Sequence, residues 1–429
     1  MFLVSSSFTY IPSRMITQSY GGGTKTGLFS LNPDLAIQAV SDLNDKFMGI
    51  HNFPTQVNAP PVIFGWVQVR TKLREKLVSF LFPTFSQQVT ALAEAVLDLS
   101  DSSTEPISKL KLVVEVVSVL GSTMEQLTSC LPFIHPAGLH PRYVSHDKDF
   151  KKLKAFITHG LVGRIYEATE DACGLFRSSL AVIEQLGHSL EDQAPSRTKL
   201  LTMKASCLES IDQVKQFVDK SEVDIIRDRW QSNIASMSKT LDSFLELASA
   251  QSPQDTWSES RTANEDDDED DTLCEASQVH GPSENEVEKS TIAIVKLGRS
   301  GFTKLLRLLS NKHIFTIVTN LPSKELHAFS ISADLVSKRI GEMVEILCKG
   351  YLTEESRARG MTAMRRSISD LLNAPNVMLP IIKILVPLRA KPDQPSPMIH
   401  LKPWFYQWKK HFFLAIQNFL EAGGFDEDF

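Results

Sequence analysis

Apolar residues recur every three or four positions along most of this chain, from Ala36, Val40, Leu43 and Phe47 to Trp404, Trp408, Phe412, Ile416 and Phe419. That spacing lines one face of an α-helix, whereas a half-buried strand needs alternation with period two. No stretch alternates in that way between paired turn signals. The expected fold is therefore all-α, built from long antiparallel helices in bundles. With 429 residues, 42% of them hydrophobic, the chain can bury two separate cores.

Asn32 and Pro33 suit the N-cap and first position of a first helix. Pro60 and Pro61 open a second, whose stripe of Trp66, Leu73, Leu77, Phe80, Leu81, Phe85, Val89, Leu92 and Val96 passes through Pro83. A proline there predicts a kink or a division into two helices. The third helix is expected from about Pro106 to Leu131 on Leu110, Val113, Val117, Leu120, Met124 and Leu127, followed by a proline-rich loop in LPFIHPAGLHPRYV. A fourth begins near Asp147 and runs beyond about 35 residues, with Gly160, Gly163 and Gly174 marking close packing or a break. Two more follow, the second carrying Ile226, Trp230, Ile234, Met237, Leu241, Phe244 and Leu247. Beyond residue 285, helices are expected over 287–311, 332–349, 354–372 and 403–422, and HIFTIVTN reads as a short strand or, equally, as a helical end or loop.

One segment breaks the helical succession. Glu265, Asp266, Asp267, Asp268, Glu269, Asp270 and Asp271 form an unbroken run of carboxylates. The chain holds 51 acidic and 45 basic residues, so without these seven it would be nearly neutral. Such a run repels itself and resists burial, which predicts a solvated linker. Residues 1–250, 251–285 and 286–429 carry −2, −10 and +6. The expected organisation is a disordered leader (1–29), an N-terminal bundle (30–250), an acidic disordered linker (251–285) and a basic C-terminal bundle (286–429). An acidic segment beside a basic domain can fold back and screen it.

Few residues announce chemistry. His135, His140 and His146 with Asp147 are the nearest thing to a metal cluster, but their spacing fits no tetrahedral zinc pattern, and no metal or other cofactor is expected. In GGGTKTG, Lys25 follows threonine where a phosphate-binding loop has glycine. LGRSGF lacks the order of a nucleophile elbow, and its small residues suit the approach of a neighbouring helix. Glu354 and Glu355 are paired carboxylates without a sign of an apolar pocket, so they read as helix solvation. Catalysis is not expected. Five widely spaced cysteines, Cys130, Cys173, Cys207, Cys274 and Cys348, suit reduced thiols. The longest apolar run, VMLPIIKILVPL, is interrupted by Pro380, Lys383 and Pro387, so no membrane span is expected.

Basic residues are the stronger signal. Arg357, Arg359, Arg365 and Arg366 fall within ten residues, and Lys402, Lys409 and Lys410 alternate with Trp404, Phe405, Tyr406 and Trp408. They suit an acidic protein surface or phosphate, or else a solvated helix face beside an aromatic core seam. No DNA-reading module is recognisable, so direct nucleic-acid contact is not expected. Thr262, three residues before Glu265, suits an acidophilic kinase.

The order of parts resembles the cyclin-D-binding protein family, also described as helix-loop-helix-like inhibitory proteins. The resemblance rests on an apolar-basic helix after the acidic run, residues 291–309 in STIAIVKLGRSGFTKLLRLL, then on Ile331 to Leu347 and Trp404 to Phe419, with a weaker match over 107–250. It implies an all-helical, non-catalytic protein of nucleus and cytoplasm that binds D-type cyclins or helix-loop-helix regulators and restrains the cell cycle. The expected contact residues are the acidic run together with Lys296, Arg299, Lys304, Arg307, Arg365 and Arg366. A cytoskeletal or membrane-adjacent helical adaptor shares the pattern and remains the alternative, with an enzyme as a remote third. The oligomeric state is left open by the sequence.

Overall fold

The computed structural model describes residues 33–49, 66–100, 106–135, 140–251, 284–310, 315–317, 321–349, 354–387 and 398–424. The expected leader with its GGGTKTG motif, the carboxylate run Glu265–Asp271, Thr262 and Cys274 lie outside the described residues. What is described is all-α apart from one short strand pair.

Helix α1 (Pro33–Phe47) buries the predicted stripe of Ala36, Val40, Leu43 and Phe47. The predicted break at Pro83 takes a specific form: α2 (Trp66–Lys76) runs into a π-helical turn, Leu77–Leu81, and then into α3 (Phe82–Ser100). Proline has no N–H to donate, and its ring crowds the carbonyl four residues back. The wider turn relieves this, the Phe82 N–H reaching back five residues to the Leu77 carbonyl. The extra residue also shifts the helix face, so Leu77, Leu81 and Phe82 are buried while Phe80, expected on the stripe, is 54% exposed.

Helix α4 (Pro106–Ile134) buries its whole expected stripe and continues past Pro132, three residues into the predicted loop. Helix α5 (Ala155–Glu184) starts eight residues later than expected, after 3-10 turns at Pro141–Tyr143 and Lys151–Leu153. Asp147 is not the first residue of this helix but a cap that holds it from outside. Helix α6 (Leu190–Asp219) is capped by Ser189, whose hydroxyl accepts from the Asp192 amide at 3.2 Å. At the start of α7 (Glu222–Gln251), Ser221 and Asp224 exchange backbone–side-chain bonds of 3.1 and 3.2 Å, a capping box.

Helices α8 (Glu284–Ser310), α9 (Ser323–Lys349), α10 (Glu354–Ile384) and α11 (Met398–Gly423) complete the fold. Of the readings of HIFTIVTN, the strand is adopted at its described residues, Phe315–Ile317. Phe315–Ile317 (β1) pairs antiparallel with Leu385–Pro387 (β2), Thr316 opposite Val386.

The helices form two bundles. In the first, α5 packs on α6 and α1, and α3 on α4, α5 and α6. In the second, α7 packs on α8 and α9, α10 on α9, and α11 on α8. Helix α7, grouped with residues 30–250 on the sequence, therefore shares its core with the C-terminal helices. Trp230 of α7 is fully buried, meets Phe302 of α8 edge to face at 5.5 Å and donates its indole N–H to the Phe329 carbonyl of α9 at 3.0 Å. The bundles thus divide at Lys220 and Ser221, and residues 252–283 connect two helices, α7 and α8, that pack against each other.

Glycines set the closest approaches. A Cβ at Gly160 would stand 2.6 Å from the Phe217 ring, and one at Gly174 2.4 Å from Met203, which explains how α5 and α6 pack so tightly; Gly163 faces open space. In LGRSGF the small residues admit neighbours as expected. A Cβ at Gly298 would meet Ile340 at 2.8 Å, and one at Gly301 would meet the Trp408 indole at 2.7 Å. The Trp408 N–H donates to the Leu297 carbonyl at 2.9 Å, and its ring stacks on Phe412 at 5.2 Å. Among the described residues, no helix is long and apolar enough to cross a membrane.

Candidate functional site

Two polar places stand out, an open cleft in the second bundle and a buried seam between the bundles. The cleft, about 500 Å³, lies between α9 and α10 and is lined by Arg339, Glu342, Arg359, Thr362, Ala363 and Arg366. Helical spacing builds it. Arg339 and Glu342 are three apart on α9, while Arg359, Thr362, Ala363 and Arg366 fall at i, i+3, i+4 and i+7 on α10 and share one face. The Arg339 guanidinium donates to Glu342 Oε2 at 2.6 Å and reaches Asp370 Oδ2 at 2.6 Å. Ser367 donates to the same Glu342 oxygen at 3.2 Å.

These bonds fix the charge state of the cleft. The hydrogen bond to Glu342, joined by the charges of Glu342 and Asp370, outweighs burial and holds Arg339 more firmly protonated than usual. Burial pulls the Glu342 carboxyl upward, but the Arg339 hydrogen bond and charge, with Ser367 and Lys338, prevail and keep it below the usual carboxylate range. The described residues that line the cleft thus include one carboxylate, Glu342, and three guanidinium groups, with Asp370 also held by Arg339. The cleft has the chemistry to receive a carboxylate or phosphate, since guanidinium groups match the planar geometry of such anions.

Of the residues expected from the sequence, Arg366 lines this cleft and Arg365 beside it is exposed. Lys296, Arg299, Lys304 and Arg307 lie on α8, at i, i+3, i+8 and i+11, and are not among the cleft residues. Lys296, Lys304 and Arg307 are exposed, while Arg299 is half-buried and donates to Ser238 at 3.4 Å. Glu265, Asp266, Asp267, Asp268, Glu269, Asp270 and Asp271 lie outside the described residues. Arg339 and Glu342 were missed because they interrupt an apolar stripe; their spacing of three was the available signal. Lys409 sits over the Phe413 ring at 5.2 Å, and Trp404, Trp408 and Phe412 stack along α11, the aromatic seam that was the plainer of the two readings.

The seam is organised by Asp147, which is buried. Its carboxylate accepts from the Ala155 amide (2.8 Å) at the start of α5, and from the Ser323 amide (2.8 Å) and hydroxyl (2.5 Å) at the start of α9. One anion so caps two helix N-termini, one from each bundle, where backbone donors and helix dipoles favour negative charge. Lys154, 1% exposed, pairs with Glu222 of α7 at 2.8 Å and donates to the Leu321 carbonyl at 2.8 Å. Cations meet the opposite helix ends. Arg70 donates to the Ile134 carbonyl at the end of α4 (2.7 Å), Arg74 to Val218 (2.7 Å), and Lys152 to Asp219 (3.0 Å) and Lys220 (2.6 Å) at the end of α6.

His135 and His140 also lie at this seam, joined by His159 and His327, which the sequence did not single out. His146 is exposed. Among the described residues, no group of three or more His, Cys, Asp or Glu side chains could hold a metal ion. Cys130, Cys173, Cys207 and Cys348 are free thiols. Burial first, and then neighbouring negative charge, pushes Cys207 up to about 12, so it stays protonated and unreactive at neutral pH.

The division at the seam reappears in comparisons with known families. Residues 70–219 match the model of a domain of unknown function, DUF8723, and residues 221–421 match that of a second domain of unknown function, DUF8721. No curated protein matches the chain. The two matched regions meet at Lys220, where α6 ends and α7 begins.

Proposed function

We propose that this protein acts by stoichiometric binding of protein partners, and that the cleft between α9 and α10 receives a carboxylate-rich helical segment of the partner. The observation that carries the reading is the convergence of Arg339, Arg359 and Arg366 around about 500 Å³, with Glu342 as the carboxylate among the described lining residues. A partner helix presenting acidic residues on one face would complement it, and charge complementarity would speed encounter and set orientation. The sequence resemblance makes a D-type cyclin or a helix-loop-helix regulator the first partners to try, in a nuclear and cytoplasmic setting and with restraint of the cell cycle as the outcome.

The test is a titration of the full chain with a purified D-type cyclin and with a synthetic acidic helical peptide. Replacing Arg359 and Arg366 by Glu should weaken binding about tenfold or more, with the wild-type affinity falling as salt rises. Equal affinity of wild type and variant at low salt would refute the cleft as the partner site. Saturable binding to actin filaments or anionic vesicles in place of either probe would instead support the adaptor reading.

A further inference from the structure

Four imidazoles from four segments meet where the bundles touch. His135 directly follows α4 and is half-buried, His140 precedes the first 3-10 turn and is exposed, His159 lies in α5 and is exposed, and His327 lies half-buried in the second turn of α9. Their rings form a chain: His135 to His159 at 5.2 Å between centroids, His159 to His140 at 5.0 Å, and His140 to His327 at 5.3 Å. His159 Nδ1 is 3.4 Å from His135 Nε2, and His135 Nδ1 is 3.1 Å from the Thr158 hydroxyl. The first three belong to the first bundle, and His327 to the second.

The charged groups around this chain do not favour a proton. Arg70 from α2 acts on His135, Arg142 from the 3-10 turn on His327, and Arg229 from α7 on His159 and His327. The carboxylates nearby are engaged: Asp334 of α9 accepts from Arg229 at 2.7 Å and from Asn233 at 2.6 Å, and Asp147 holds the two helix N-termini. A proton placed on His135, His159 or His327 would face guanidinium groups and the neighbouring imidazoles at a spacing where like charges repel.

We propose that the quartet is an acid-sensitive latch, in which neutral imidazoles let the bundles close on each other and protonation drives the first turns of α9 away from α5 and the first 3-10 turn. The proposal is independent of the cleft as a partner site. Burial foremost, then the other imidazoles and the arginines, lowers His135 to about 3 and His327 to about 4, and lowers His159 in the same sense. An opened seam would return these groups to an ordinary value of about 6.5. The opened form then binds more protons, so the closed form has its full advantage above pH ~6.5 and loses it as pH falls towards about 4.

Hydrogen exchange of the full chain tests this at the amides of Ala155, Phe156 and Ser323, which are all bonded at the seam. After correction for intrinsic exchange, their protection should fall about tenfold or more per pH unit between about 6.5 and 4. In the variant with His159→Gln and His327→Gln that slope should flatten, whereas any contribution from Asp147 is common to both proteins. Equal slopes in wild type and variant would overturn the latch. Should the variant not fold, imidazole titration by NMR on the unaltered chain decides: His135 and His327 titrating below pH ~5 supports the latch, and titration of both near 6.5 overturns it.

Discussion

The seam and the cleft are built from the same kinds of side chain and use them in opposite ways. At the seam Asp147, Lys154 and Glu222 are buried, and their polar atoms are spent on backbone and on each other. At the cleft Arg359 and Arg366 are exposed, and the described lining residues include one carboxylate, Glu342. Polar groups removed from water must be fully partnered, or they cost more than they contribute. The seam's charges tie the two bundles together, while Arg359 and Arg366 of the cleft stand at the surface.

Substitutions can break that contrast. The largest effect should come from Lys154→Ala, which leaves Glu222 buried without its cation. We expect a loss of about 3–5 kcal/mol in denaturant unfolding, most of it recovered in the double variant Lys154→Met, Glu222→Leu, whose members suit an apolar site. A double variant as unstable as the single one would show that the pair does more than offset its own burial. Next comes Asp147→Asn, which keeps the shape but removes the negative charge from two helix N-termini and turns one amide donor towards other donors. Its expected cost is about 2–3 kcal/mol, measured the same way. The smallest stability effect belongs to Arg366→Ala, within about 0.5 kcal/mol of wild type. That same variant should weaken binding of the acidic helical peptide, so the two regions would separate cleanly, one in unfolding and the other in affinity.

Much of the fold was legible, because helix faces are written in neighbours. The stripes Ala36 to Phe47, Leu110 to Leu127 and Trp404 to Phe419 are buried or half-buried as their spacing indicates, and Pro83 marks a true interruption. Phe80 was misplaced because a π-helical turn inserts a residue that a 3.6-residue repeat does not anticipate. Asp147 looked like a helix start beside histidines, since its actual role depends on Ser323, 176 residues away. His159 and His327 stand alone in the sequence, and only folding brings them to His140. Arg366 was legible as part of a basic cluster, but Arg339 was hidden in an apolar helix until α10 packed beside it.

By itself the sequence determined that this chain is helical, where most helices run, and which face of each is apolar. Those properties depend on contacts within four or five residues, so local spacing encodes them. Tertiary structure alone decided which helices pair, and so placed α7 with α8 and α9 instead of with the helices before it. That choice rests on matching shapes far apart in the chain, such as the Trp408 indole over Gly301 and the Trp230 indole on the Phe329 carbonyl. It rests equally on a buried carboxylate satisfied only when the starts of α5 and α9 arrive together. Helical periodicity carries no record of such distant agreements, because it repeats identically whichever neighbour the apolar face finally meets.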